Sequence, residues 1–162
     1  MSSMTSPSDK NVSVFCTYTS SYCGGAEPPK ELLRELATPK ALAETEVFIR
    51  TGHENDISVP IIASGKSDVN GLVQFALEPG DYVLMFADKK NDTVYNEILK
   101  KYSKKTEYTE PVDKECLLKW ISIPELFLHV EALRINSFQL AIHKPCAWHS
   151  IPCVPYNGPL PP

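Results

Sequence analysis

Apolar residues recur at every second position in short runs along this chain, and Pro or Gly interrupts most of the gaps between runs. Period-two alternation over four to eight residues is the signature of strands with one buried face, so the pattern restricts the fold to short strands joined by tight turns. Val12-Ser-Val14-Phe-Cys16-Thr-Tyr18 opens the series. Further strands are predicted over 46–50, 58–63, 72–77, 81–86, 127–130 and 137–143. Pro60 lacks an amide hydrogen, so the second of these cannot be central. Asn70-Gly71 and Pro79-Gly80 supply turn residues, and the latter predicts a hairpin joining 72–77 to 81–86.

Three segments change period. Leu32, Leu33 and Leu36 form one stripe behind Pro28-Pro29, which predicts a short helix ending before Pro39. Val94, Tyr95, Ile98, Leu99 and Tyr102 follow helical spacing, with Lys100, Lys101, Lys104 and Lys105 at the basic end. Asp113 is placed to cap a third helix whose apolar face is Cys116, Leu117, Trp120 and Ile121. The expected architecture is a mainly β, mostly antiparallel sandwich of about seven strands carrying two or three short inserted helices. Residues 1–11 read as a flexible leader, polar and unlike a signal peptide, and 12–162 as one domain ending in a Pro-rich tail over 144–162.

The 162 residues suffice to bury roughly two thirds of the unfolded surface without cystines. A net charge of -4 leaves no electrostatic footprint for nucleic acid, and no run of about 18 apolar residues is present to span a membrane. Five cysteines therefore carry the argument about compartment. Cys16/Cys23 and Cys146/Cys153 share one separation, and a cystine within either pair requires the chain to double back. Long-range pairing of Cys23 with Cys116 or Cys146 needs no such turn. Cystines place the chain outside the cytoplasm, in a periplasmic or extracellular setting, whereas free buried thiols fit a cytoplasmic one.

The densest chemistry lies in His143-Lys-Pro-Cys146-Ala-Trp-His149-Ser-Ile-Pro-Cys153. His143, Cys146, His149 and Cys153 carry the atoms that zinc or copper takes, although the spacing matches no established finger. The alternative is a disulfide segment with solvent-facing histidines. Trp120, Trp148 and Tyr156 form a candidate binding surface, or staple the tail to the sandwich. His53 sits in a polar loop beside Glu54 and Asp56, and His129 shares strand parity with Phe127 and Glu131. No serine or cysteine stands in a motif for nucleophilic catalysis, and no phosphate loop is present.

The block Leu42 to Arg50, followed by Ser67-Asp-Val-Asn-Gly71-Leu-Val-Gln-Phe75-Ala-Leu-Glu-Pro79-Gly80-Asp-Tyr82, resembles the carboxypeptidase regulatory-like domains, which have a prealbumin-like β-sandwich. The resemblance implies that fold and is silent on activity. The flanks Tyr22-Cys-Gly-Gly-Ala26, Cys116 to Trp120 and His143 to Cys153 resemble exported bacterial proteins built on the same sandwich. That second resemblance implies Cys23, Cys116, Cys146 and Cys153 as the disulfide cysteines, with Cys16 the odd one. Tyr156-Asn157-Gly158-Pro159 invites comparison with the Tyr-Arg-Gly-Ser ending of transthyretin-like hydrolases, but Asn157 and Pro159 replace the residues that family needs. The function expected from the sequence is a non-enzymatic extracytoplasmic binding or structural module for an unknown protein or small ligand, with no cofactor. A zinc or copper protein is the alternative, and a transthyretin-like hydrolase the second alternative.

Overall fold

Two sheets stack face to face in the computed structural model, which describes residues 10–159. Most of the expected leader (1–9) and the end of the tail (160–162) lie outside the described residues. In the first sheet β1 (Val12–Ser20) is central. Its first half pairs antiparallel with β5 (Leu72–Phe75), and its second half with the two-residue β2 (Lys40–Ala41). Along its other side runs β8 (Asn136–Lys144), parallel and in register from Val12↔Asn136 to Ser20↔Lys144. The second sheet is antiparallel in the order β4 (Ala63–Lys66), β3 (Glu46–Thr51), β6 (Gly80–Phe86), β7 (Leu126–Val130). Among the described residues the β1–β8 pair is the one parallel ladder, and the other ladders are antiparallel.

The inward residues of both sheets make the main core: Val12, Val14 and Cys16 meet Val47, Ile49, Leu84, Leu128 and Val130, with Val73, Phe75 and Leu140 beside them. The inward-pointing residues are those the alternation marks, because successive side chains of a strand face opposite ways. The three predicted helices form as α1 (Lys30–Ala37), α2 (Thr93–Lys101) and α3 (Lys114–Ser122). The Asp113 side chain accepts from the Cys116 amide at the start of α3, and Pro124 follows its end.

Two local expectations are corrected. The Pro79-Gly80 turn does not close a hairpin: β5 pairs with β1 in the first sheet, whereas β6 lies between β3 and β7 in the second. The chain arches from one layer to the other. Asn11 fixes the arch by accepting from the Leu77 amide at 2.9 Å and donating to the Leu77 carbonyl at 2.7 Å, while the Tyr82 hydroxyl donates to the Glu78 carbonyl at 2.6 Å. The strand expected over 58–63 is also displaced: β4 begins at Ala63, after Pro60, which offers no ladder donor.

The outer face of the second sheet is covered. Phe48, Val83 and Met85 form a small buried cluster there, beside the buried Arg50 side chain. Arg50 Nε donates to the Val59 carbonyl at 2.7 Å, Nη1 to Asn55 Oδ1 at 2.7 Å, and Nη2 to the Lys90 carbonyl. Asn55 Nδ2 in turn donates to the carbonyls of Lys89 and Ile121, each at 2.8 Å. This network holds the 52–62 loop and the end of α3 down on the sheet.

Candidate functional site: a disulfide-walled groove around Trp120

The C-terminal segment after β8 returns across α2 and α3, and two cystines hold it. Cys23 pairs with Cys146, and Cys116 pairs with Cys153. The local Cys146–Cys153 loop is therefore overturned: the segment is a long-range staple, with sequence separations of 123 and 37. Cys16 is free and buried between the sheets, where burial pushes its thiol pKa up. Just past Cys153 the segment packs Val154 against Ile98 of α2 and Leu117 of α3, with Ile151, Val112, Tyr102 and Trp120 around them. Backbone bonds continue the attachment: the Asp113 amide donates to the Cys153 carbonyl, the Glu110 amide to Pro155, and the Asn157 amide to Tyr108.

Trp120 stands between two adjoining hollows. One, of about 280 Å³, is lined by Val94, Ile98 and Tyr102 with Ile151 and Pro152 opposite. The other, of about 490 Å³, has the Cys116–Cys153 cystine in its wall, with Ile123 and Pro152. Trp120 and Pro152 belong to both. Asp88, Glu97, Asp113 and Glu115 outnumber Lys101 and Lys119 along this groove. Apolar walls with a few charged groups are what a ligand site requires. The indole of Trp120 also carries Lys89 Nζ at 5.2 Å from its ring centroid. That ammonium is itself fixed by Glu125 Oε1 at 3.0 Å and the Ile123 carbonyl at 2.7 Å. Burial pushes the Glu125 carboxyl up, and Lys89 opposes the shift.

The candidate aromatics do not form one surface. Trp148 and Tyr156 lie 6.5 Å apart in a cluster with His149 and Tyr108. The Tyr156 hydroxyl donates to the Pro159 carbonyl at 2.9 Å, and the Trp148 indole N–H is buried with no acceptor among the described residues. These two rings staple the tail, whereas Trp120 lines the groove.

His143, Cys146, His149 and Cys153 are not brought together as metal ligands. Both sulfurs are in cystines with different partners, so neither offers a thiolate. His143 is occupied by hydroxyls, Thr19 Oγ1 at 2.8 Å from Nδ1 and Ser21 Oγ at 2.6 Å from Nε2, and His149 packs edge-on against Tyr156.

A second polar cluster assembles around Asp81, which no motif in the sequence marks. His129 Nδ1 lies 2.7 Å from Asp81 Oδ1, and His53 Nε2 lies 3.5 Å from Asp81 Oδ2. The carboxylate holds the His129 pKa above the ordinary imidazole range, and the same hydrogen bond holds Asp81 below the ordinary carboxylate range. The cross-strand register Asp81↔His129 causes this contact. Asp56 serves instead to bond the amide and hydroxyl of Ser58. No described helix is long and apolar enough to cross a membrane.

No family model matches the chain, and no curated protein matches it. Among solved structures it is similar to the TIE protein of Bacillus anthracis, at 13% identity and a TM-score of 0.27, over 83% of this chain and 16% of that one. It is also similar to the shaft pilin SpaA of Lactobacillus rhamnosus GG, at 9% identity and a TM-score of 0.34, over 82% of this chain. This chain spans 48% of that pilin chain and 16% of the TIE protein chain.

Proposed function

We propose that this protein is a non-enzymatic binding or structural module of the periplasm or extracellular space, and that the groove around Trp120 is where it takes a protein or small ligand. The observation that carries the reading is the pair of cystines that clamp the C-terminal segment over α2 and α3. Cystines persist in oxidising compartments and are reduced in an ordinary cytoplasm. One of them also forms a wall of the groove, so the same bond that holds the segment shapes the surface offered to a ligand. The charge balance of the groove favours a ligand with apolar bulk and a cationic group.

Thiol titration without reductant tests the compartment reading. The expected result is no reactive thiol in the native protein and one, Cys16, after denaturation. Five thiols, with a stoichiometric metal by elemental analysis, would overturn it and favour a zinc or copper protein.

A further inference from the structure

We infer that the protein self-associates through β8, which pairs antiparallel with β8 of a second copy to make one continuous sheet. The argument starts from hydrogen-bond parity. The Asn136 amide donates to the Asn11 carbonyl, and the Ser21 amide donates to the Lys144 carbonyl. In a parallel ladder, residues whose amide and carbonyl both face one neighbour alternate with residues whose groups both face away. Asn136, Phe138, Leu140, Ile142 and Lys144 therefore face β1, and Ser137, Gln139, Ala141 and His143 direct their backbone groups to the opposite side. No strand among the described residues pairs there.

Natural edges of this length are normally blunted by lysine, proline, a bulge or an inward charge, because an open edge templates pairing. Between Asn136 and His143 this edge has none of these, and Lys144 and Pro145 stand only at its C-terminal end. It is also self-complementary. A two-fold axis at Leu140 sets Gln139 opposite Ala141 and Ser137 opposite His143, so every outward residue of one copy meets an outward residue of the other, with no like charges opposed. Lys144 falls opposite Asn136. One residue further, Ile135 falls opposite Pro145 of the partner subunit. Ile135 is 83% exposed in the single chain, and the neighbouring Leu133 is fully exposed. Pairing at this register covers an apolar residue that the fold leaves in water. The outer faces of β1 and β8 present Ser13, Phe15, Thr17, Thr19, Gln139 and Ala141, so the extended sheet carries no charge repulsion across the seam.

Such an edge contact is at the small end of protein interfaces, so the association is weak and reversible. Sedimentation equilibrium of the full chain should show a monomer–dimer equilibrium at concentrations up to about 1 mM. The double substitution Gln139→Lys with Ala141→Lys opposes lysines across the axis on solvent-facing positions and should weaken dimerisation at least about tenfold while the circular dichroism spectrum stays unchanged. Residue-resolved hydrogen exchange gives a second readout independent of any variant. The amides of Ser137, Gln139, Ala141 and His143 should be protected in the dimer and exchange freely on dilution, while those of Phe138, Leu140 and Ile142 stay protected throughout. A chain monomeric at about 1 mM overturns the inference. So does a dimer whose odd-numbered β8 amides exchange freely, or a monomer in which they are protected, since the edge is then covered within the chain.

Discussion

Gly71 holds a junction that no other residue can occupy without strain. Its φ is +79°, and a Cβ there would run into the Cys16 carbonyl oxygen. At that point β1 changes partner, since the Cys16 amide donates to the Gly71 carbonyl at 2.8 Å and the Leu42 amide donates to the Cys16 carbonyl at 2.9 Å. Gly71→Ala is expected to cost about 2–4 kcal/mol, read as a lower urea midpoint at unchanged slope, because positive φ and a backbone clash act together. At the other end of the sandwich the Asp81–His129 pair sets a pH dependence. The raised His129 pKa contributes stability that is present below the ordinary imidazole value and lost as pH rises through the folded value. The lowered Asp81 pKa contributes stability present above the ordinary carboxylate value and lost as pH falls through the folded one. Both groups are solvent-exposed, so the effect on stability is small. NMR titration should place His129 above the ordinary value, and Asp81→Asn should bring it back; an unmoved midpoint would show that the carboxylate is not its cause.

The C-terminal segment is an element held by covalent bonds more than by regular structure. In the chain-entropy model, whose mechanism is disputed, loops of these lengths stabilise by about 4 and 5 kcal/mol for the shorter and longer cystine. Reduction should release residues beyond Lys144 while the two sheets remain, because the main core contains no residue of that segment. Limited proteolysis is expected to cut beyond Lys144, at Trp148 or Tyr156 with chymotrypsin, only in the reduced protein; cutting unchanged by reductant would mean that packing on Ile98 and Leu117 alone holds the segment. The elements themselves were legible because alternation and caps are local signals: Asp113 starts α3, and Leu32, Leu33 and Leu36 mark α1. Pairing was not. Pro79-Gly80 serves a hairpin and an arch equally well, and what chooses between them is Asn11 bonding Leu77 across 66 residues. The unbroken apolar run Val83-Leu-Met-Phe86 was the available sign that β6 is buried on both faces, as strands covered on both sides read. Arg50, Asn55 and Lys89, which fix that covering layer, carry no sequence signal that sets them apart from surface polar residues.

On the scale of the whole molecule, two kinds of opening can be separated by one atom. Cys16 Sγ lies in β1, between the sheets and fully buried, and burial disfavours the thiolate that an alkylating reagent needs. At Cys16 β1 is flanked by β8 on one side and by the Gly71 and Leu42 backbone on the other, so loss of the C-terminal segment leaves Cys16 covered. Its exposure requires the sheets to part. For a domain of ordinary stability the alkylation rate in native buffer should then be at least about 10³-fold below that of the unfolded chain. It should rise with urea along the same free-energy line as unfolding followed by far-UV circular dichroism, because both report the same global event. The alkylation should be measured without reductant, so that the four cystine sulfurs stay silent and Cys16 alone reacts. A rate independent of urea at low concentration would mean that β1 is reached by local fraying, and would place the cooperative centre of the fold in the β3–β6 ladder instead.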